Sequence, residues 1–357
     1  MAETELPEDV TVNILCWLPV KSLIRFTSVS KRWRFIILSD PKFASSQFNA
    51  ARQRRTFCTG APQLESLDVD GTASFGHPSS VRKLSLPLER RGSRDVTLLG
   101  SCNGLVFLAF DSCYFYIWNP ATRFFRELPD PGFPDHVRQV LTYRGVGYLS
   151  ATDDYRVFAT SYGVYPDGDS YADTAETKMF SYRAQVWKTV RGSGHYASSA
   201  NQGILLNEAL HWAKSNEIIA FDFAPEKFRT MRMPDVDDQN DVAFGYVGVS
   251  EGCLCVCGYL RGGHDSVDYW VMREYGVDSS WTKLFNISSA GPGRYGDWLV
   301  MESCTVAVKG AIGFHHWLLV EIDHQQKEAN GVYTVPGIIN CYPSMIPYED
   351  TLLRIND

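Results

Sequence analysis

Nothing in these 357 residues reads as a membrane span, because no apolar run approaches the 18 or so residues that a bilayer-crossing helix needs. The opening Met1-Ala2-Glu3-Thr4-Glu5 is acidic and polar, without the basic and apolar regions of a secretory signal. The expected location is therefore intracellular, cytoplasmic or nuclear. The nine cysteines are an odd number and are expected to be reduced thiols in such a compartment. A CxxC spacing is missing too. Cys253, Cys255 and Cys257 alternate, so a strand would turn all three to one face, where a metal site is conceivable. With Leu254 and Val256 between them and no second ligand pair, they read as a buried strand, and no metal or other cofactor is expected. Catalytic motifs are likewise lacking: there is no Gly-x-Ser-x-Gly, no phosphate-cradling loop followed by Lys and no zinc-peptidase helix. His315 and His316 would point to opposite faces of a strand, and His211 beside Trp212 reads as a hydrogen-bonded structural histidine. Asp153 and Asp154 would splay or sit in a turn, whereas acid–base carboxylates must converge. An enzyme is not expected. Residues 96–357 also lack an excess of basic charge, with 20 Lys and Arg against 31 Asp and Glu, which disfavours nucleic acid as a ligand.

What is present divides sharply near residue 50. In Leu6-Pro7-Glu8-Asp9, proline occupies a first helical turn and two carboxylates face the positive end of the dipole. Val10, Ile14, Leu15 and Leu18 recur at helical spacing until Pro19 closes the segment. A second short helix is expected over Leu23–Thr27. A third is capped by Ser30 and carries Trp33, Ile36 and Ile37, and a fourth begins at Asp40-Pro41 and holds Phe43 and Phe48. So small a unit buries its apolar residues poorly alone, which implies a partner surface.

Beyond residue 100 strands take over. A glycine followed by alternating apolar residues recurs at Gly104, Gly147, Gly203, Gly252 and Gly310, separated by 43 to 58 residues. Aromatic strands then run into polar turns, as in Tyr114–Trp118 followed by Asn119-Pro120-Ala121-Thr122-Arg123. Repeats near 50 residues with about four strands each fit the blades of a β-propeller of kelch length. Five copies are legible. A sixth is expected around Val81–Leu88, closed by residues near Tyr333–Ile339. The segment Tyr182–Val190 shows no clean turn before Trp187.

Two resemblances rest on these strings. Leu6-Pro7-Glu8-Asp9, Ile14-Leu15, Leu18-Pro19-Val20-Lys21-Ser22-Leu23, Val29-Ser30-Lys31-Arg32-Trp33 and Ser39-Asp40-Pro41-Lys42-Phe43 resemble a plant-type F-box. Gly100–Leu105, Trp118–Arg123, Asn207–Trp212, Ala220-Phe221-Asp222 and Trp270–Val277 with Ser280–Leu284 are similar to the F-box-associated domain. The resemblance implies an α+β multidomain chain: a helical F-box over 1–48, a linker with first propeller strands over 49–96, and an all-β, propeller-like, kelch-type domain over 97–357. It further implies a non-catalytic adaptor subunit of an SCF-type E3 ubiquitin ligase. Leu6, Pro7, Ile14, Leu15, Leu18, Pro19, Leu23, Val29 and Trp33 would contact a Skp-type adaptor, and through it a cullin and a RING protein. The propeller would capture a protein substrate for ubiquitylation.

Loops at one end of a propeller are the natural recognition elements. The candidates are 165–173 with Tyr165, Asp167, Asp169 and Tyr171, 261–265 with Arg261, and 291–298 with Arg294, Tyr295 and Trp298. The competing reading is a free-standing propeller that binds a glycan or small molecule, with the helices as a cap.

Overall fold

The computed structural model describes residues 6–50, 55–59, 64–68, 75–87, 96–134, 138–164, 175–191, 201–214, 216–236, 242–260, 266–288, 294–300, 304–310, 317–323, 329–335 and 345–355. Four helices come first: α1 (Glu8–Cys16), α2 (Val20–Phe26), α3 (Lys31–Ser39) and α4 (Pro41–Ala50). Their boundaries follow local chemistry. Pro7 and Pro19 stand just ahead of α1 and α2, where a missing N–H costs nothing. The Ser30 hydroxyl accepts from the Trp33 amide at 3.1 Å, and an Asp40 carboxylate oxygen accepts from the Lys42 and Phe43 amides at 2.9 and 3.3 Å. All four expected helices form. Leu15, Cys16, Val20, Leu23, Ile36, Ile37 and Phe43 make their common core.

Among the described residues downstream, apart from the 3-10 turns Ser150–Thr152 and Asp278–Ser280, the regular structure is strand, in six separate antiparallel-based sheets, none of which closes on itself. Blade 2 (Val96–Cys102, Leu105–Phe110, Tyr114–Asn119, Phe124–Glu127) shows the pattern, four strands in simple meander. Blades 4, 5 and 6 repeat it over 204–232, 242–288 and 294–335. Blade 3 begins with the long strand Arg138–Leu149 and gains a parallel edge from Asn201–Gln202. Blade 1 is composite. The strands Arg55–Thr59, Leu64–Asp68 and Val81–Leu84 are completed on the inside by Met345–Glu349 from the far end of the chain. Apolar cores lie between successive sheets, one each for blades 1 and 2, 2 and 3, 3 and 4, 4 and 5, and 5 and 6. Inner strands touch their neighbours in order, and that of blade 6 touches Met345–Glu349 of blade 1. The Tyr333 hydroxyl of blade 6 also donates to Glu65 of blade 1.

Three expectations need correction. Closure is made by Met345–Glu349 rather than near Tyr333, which lies in the last strand of blade 6, Ala329–Val335. The recurring glycines are not equivalent: Gly104 and Gly252 sit in hairpin turns at positive φ, whereas Gly147 lies inside a strand and Gly310 ends one. The feature that does recur is a two-residue turn with both φ values positive, Asn103-Gly104, Asn207-Glu208 and Glu251-Gly252, joining the first two strands of blades 2, 4 and 5. Such turns match the natural twist of a hairpin. Finally, Tyr182–Gln185 is a tight turn, with Gln185 at φ +53°, so blade 3 keeps its outer hairpin.

The helices are joined to the propeller by the residues that follow the closing strand. Thr351 is fully buried, Leu352 enters the helical core beside Leu15 and Leu23, and Ile355 joins the core between blades 2 and 3. Asn119 holds this strap. Its amide nitrogen donates to the carbonyls of Thr351 (3.1 Å) and Leu353 (2.9 Å), while its oxygen accepts from the Ala121 and Thr122 amides at 2.9 and 3.1 Å. No other short side chain offers both donors and acceptors in that geometry, which explains the asparagine of Trp118-Asn119-Pro120. The strap passes so close that a Cβ on Gly104 would lie 2.4 Å from the Glu349 carbonyl oxygen.

Candidate interaction surfaces

Helix α1 is apolar on two sides. Val12, Leu15 and Cys16 turn inward, while Leu6, Val10, Ile14 and, just past the helix, Trp17 fall at i, i+4, i+8 and i+11 and are 40% to 64% exposed. Val29 and Phe35 are exposed as well, so six of the ten large apolar side chains exposed among the described residues belong to the helical module. A soluble surface rarely gathers such residues without a partner.

This divides the nine expected adaptor contacts. Leu6, Pro7, Ile14, Pro19 and Val29 are exposed and available, and Leu18 and Trp33 are half-buried. Leu15 and Leu23 are fully buried in the module's own core and cannot reach a partner in this fold. Val10, Trp17 and Phe35 were missed, although Val10 and Trp17 share the helical spacing of Leu6 and Ile14.

The propeller presents two ends. Because adjacent strands alternate in direction, the turns between first and second and between third and fourth strands lie at one end. That end faces the helices: Ala121 packs against the helical core, and Asn103, Arg126, Tyr148 and Tyr182 share a cavity of about 1000 Å³ with α3, α4 and the strap. Connections between second and third strands, and between blades, leave from the opposite end. The expected recognition segments divide accordingly. Tyr165, Asp167, Asp169, Tyr171 and Arg261 lie outside the described residues, in connections whose flanking strand ends, Val164 with Glu176 and Leu260 with Ser266, are at that opposite end. Arg294, Tyr295 and Trp298 lie not in a loop but in the inner strand of blade 6, Arg294–Val300, which bulges between Tyr295 and Trp298.

Several polar side chains inside the propeller are held by hydrogen bonds to their neighbours. His211 is fully buried, its Nδ1 donating to the Ile204 carbonyl at 3.2 Å, which leaves Nε2 to accept from the Tyr275 hydroxyl at 2.8 Å. Arg229 in turn donates to Tyr275 and to Asp222. Burial holds the imidazole neutral, with its pKa down to about 4. Asp154 is buried and accepts from the Ser181 hydroxyl and the Arg183 amide, while exposed Asp153 accepts from the Tyr148 hydroxyl, so the two carboxylates diverge. Cys255 and Cys257 are buried on one face of their strand with Cys253 packed beside them, and burial pushes the Cys255 thiol up to about 12. Such thiols are poor ligands and nucleophiles at neutral pH. A pocket of about 340 Å³ opens among the inner strands, lined by Ser101, Asn103, Gln202, Tyr246 and Glu349.

Among the described residues no helix is long and apolar enough to cross a membrane. The F-box domain model matches residues 4–45, and the model of the F-box associated beta propeller domain matches residues 36–335. The chain is 30% identical over 318 residues to Arabidopsis thaliana F-box protein CPR1, covering 79% of this chain and 73% of that one. It is 29% identical over 301 residues to F-box/kelch-repeat protein At3g23880 of the same plant, covering 79% of each. An F-box implies binding of a Skp1-type adaptor, and F-box proteins are generally non-catalytic subunits. A helical module that displays its apolar residues, strapped to six sheets that bury theirs, thus places this chain in the family of F-box proteins with an F-box associated beta propeller domain.

Proposed function

We propose that this chain is the substrate-recruiting adaptor subunit of an SCF-type E3 ubiquitin ligase. The observation that carries the reading is the exposed stripe Leu6, Val10, Ile14 and Trp17, an apolar face on a helix whose other face is already committed to the module's core. Fully burying one such side chain contributes about 1.5 to 3 kcal/mol, so the stripe with Val29 and Pro19 is sufficient to hold a Skp-type adaptor. Cullin and RING subunits join through that adaptor. The propeller recruits the target protein at the end opposite the helices, where the longer connections, including those of Tyr165 to Tyr171 and of Arg261, emerge from rigid sheets. No bond chemistry is assigned to the chain itself. It raises the effective concentration of target lysines beside the charged ubiquitin carrier.

The test is co-purification. Wild-type chain is expected to bring down a Skp-type adaptor in a 1:1 ratio, and Ile14→Asp with Trp17→Asp is expected to abolish the complex while the propeller's thermal transition stays in place. Undiminished capture by that double variant refutes the reading. So would a chain that never binds the adaptor but takes a glycan or small molecule into the pocket among its inner strands.

A further inference from the structure

The turn that joins the first two strands of blade 4 differs from its counterparts in blades 2 and 5. Gly104 and Gly252 take the second position of that turn at φ +71° and +74°, a region where a side chain is strained. Blade 4 places Glu208 there, at φ +56°. Its carboxylate reaches across to blade 3, where Oε1 accepts from the Ser150 hydroxyl at 2.7 Å and from the Ser150 amide at 2.9 Å. These bonds, the hydroxyl's first, hold the Glu208 carboxyl below its usual range. A strained residue is kept where its side chain bridges two blades. Ser150 itself is exposed and opens the short turn Ser150–Thr152 between the first two strands of blade 3. Asp153, also exposed, follows it by three positions. Ser150 and Ser170 are the only serines or threonines of the sequence with a carboxylate at that spacing, and Ser170 lies outside the described residues. Arg183 donates to the Thr152 carbonyl at 2.5 Å, so a guanidinium stands beside the same turn.

We infer that Ser150 is a phosphorylation site for an acid-directed serine kinase, and that the phosphate opens the bridge between blades 3 and 4. The inference is independent of the adaptor reading above. A kinase with a basic substrate cleft pairs with the carboxylate of Asp153, three residues beyond the hydroxyl it modifies. In the transfer, the Ser150 Oγ attacks the terminal phosphorus of ATP. An Oγ–P bond forms, the bond from that phosphorus to the bridging oxygen breaks, ADP leaves, and the hydroxyl proton passes to the kinase's base. At neutral pH the product has no hydroxyl proton to donate and sets a charge of about −1.5 to −2 beside the Glu208 carboxylate. A hydrogen bond becomes a repulsion. Glu208 then loses the contact that retains it at positive φ, while Arg183 offers the phosphate a charge-assisted partner. The bridge therefore has two arrangements, hydroxyl on Glu208 or phosphate on Arg183. It lies at the end of the propeller that faces the helices, where Tyr148, Asp153 and Arg183 line the cavity shared with α3 and α4.

The experiment treats the full-length chain with a purified acid-directed serine kinase and magnesium ATP, maps phosphate by mass spectrometry and follows amide hydrogen exchange. Phosphate is expected on Ser150, and Ser150→Ala is expected to lose it. Asp153→Asn should slow its appearance about tenfold, because the acid that the kinase reads is gone. That variant should keep the wild-type thermal unfolding curve, since Asp153 is exposed and asparagine tolerates its left-handed backbone. Phosphorylation should speed exchange of the Ser150 amide about tenfold as the bond to Glu208 opens. Glu208→Gly suits the positive φ, so the variant folds; it should show the same fast exchange without phosphate and no further change with it. Absence of phosphate from Ser150, including phosphate on Ser170 alone, overturns the inference. So does an Asp153→Asn chain modified at the wild-type rate, or a phosphorylated chain whose Ser150 amide exchanges as slowly as before.

Discussion

The helical module and the propeller treat similar apolar residues in opposite ways. In blades 2 to 5 long aromatic side chains are interleaved between sheets: Phe158 is buried against Trp212, Phe221 and Phe228, with ring centroids 4.9 to 6.0 Å away. In the module, a helix of nine residues carries one apolar face inward and a second outward. The difference follows from size. A blade has a neighbour on each side to cover it, whereas about 45 helical residues enclose only one small core, which Leu352 and Ala121 cover in part and which leaves the outer face of α1 uncovered. Rigidity and stickiness are thereby assigned to different parts of one chain.

The contrast can be broken most forcefully by paired truncations. Phe158→Ala should destabilise the propeller by about 3 to 5 kcal/mol, the range for deleting a buried aromatic side chain. Ile14→Ala, although it also removes a large apolar group, should change stability by no more than about 0.5 kcal/mol and act on adaptor binding instead. Denaturant titration of both variants measures the gap, and equal losses would contradict the division. The next effect is set by pH. His211 is neutral in the folded state down to about 4, against about 6.5 in an unfolded chain, so protonation favours unfolding. Its contribution is complete above pH 6.5 and is lost as pH falls toward 4, in total about 3 kcal/mol. His211→Gln should flatten that acid slope of propeller stability and leave the helical transition alone. The smallest effect belongs to the module: Ser30→Ala removes the cap on the Trp33 amide and should cost about 1 kcal/mol. Far-ultraviolet circular dichroism of the helices reports it, with no change expected in the propeller's transition.

The helices were legible because their signals are local. Pro7, Ser30 and Asp40 mark starts within one turn of where the helices begin, whereas Pro19, read as the end of the first segment, also opens α2 at Val20, three residues before the expected Leu23. The direction of each apolar residue was not, since both faces of α1 are apolar and periodicity cannot say which one meets the core; hence Leu15 stands in one expected set with the exposed Leu6 and Ile14. The sheets were legible as repeats, but their phase was not. Glycine marks a turn at Gly104, a strand interior at Gly147 and a strand end at Gly310, and local composition does not distinguish them. Closure was the hardest feature to read, because pairing Arg55–Thr59 with Met345–Glu349 joins residues about 290 apart, and no local propensity encodes that contact. Of the recognition segments, 165–173 and 261–265 lie outside the described residues, whereas Arg294–Val300 has the turn-like flank of a loop and the aromatic content of a strand, and the strand prevails.

Leu352 ties the two ends of the sequence into one core. That core is lined by residues made first and completed by one made some 300 residues later. The first element of the chain to leave the ribosome is therefore among the last to be finished.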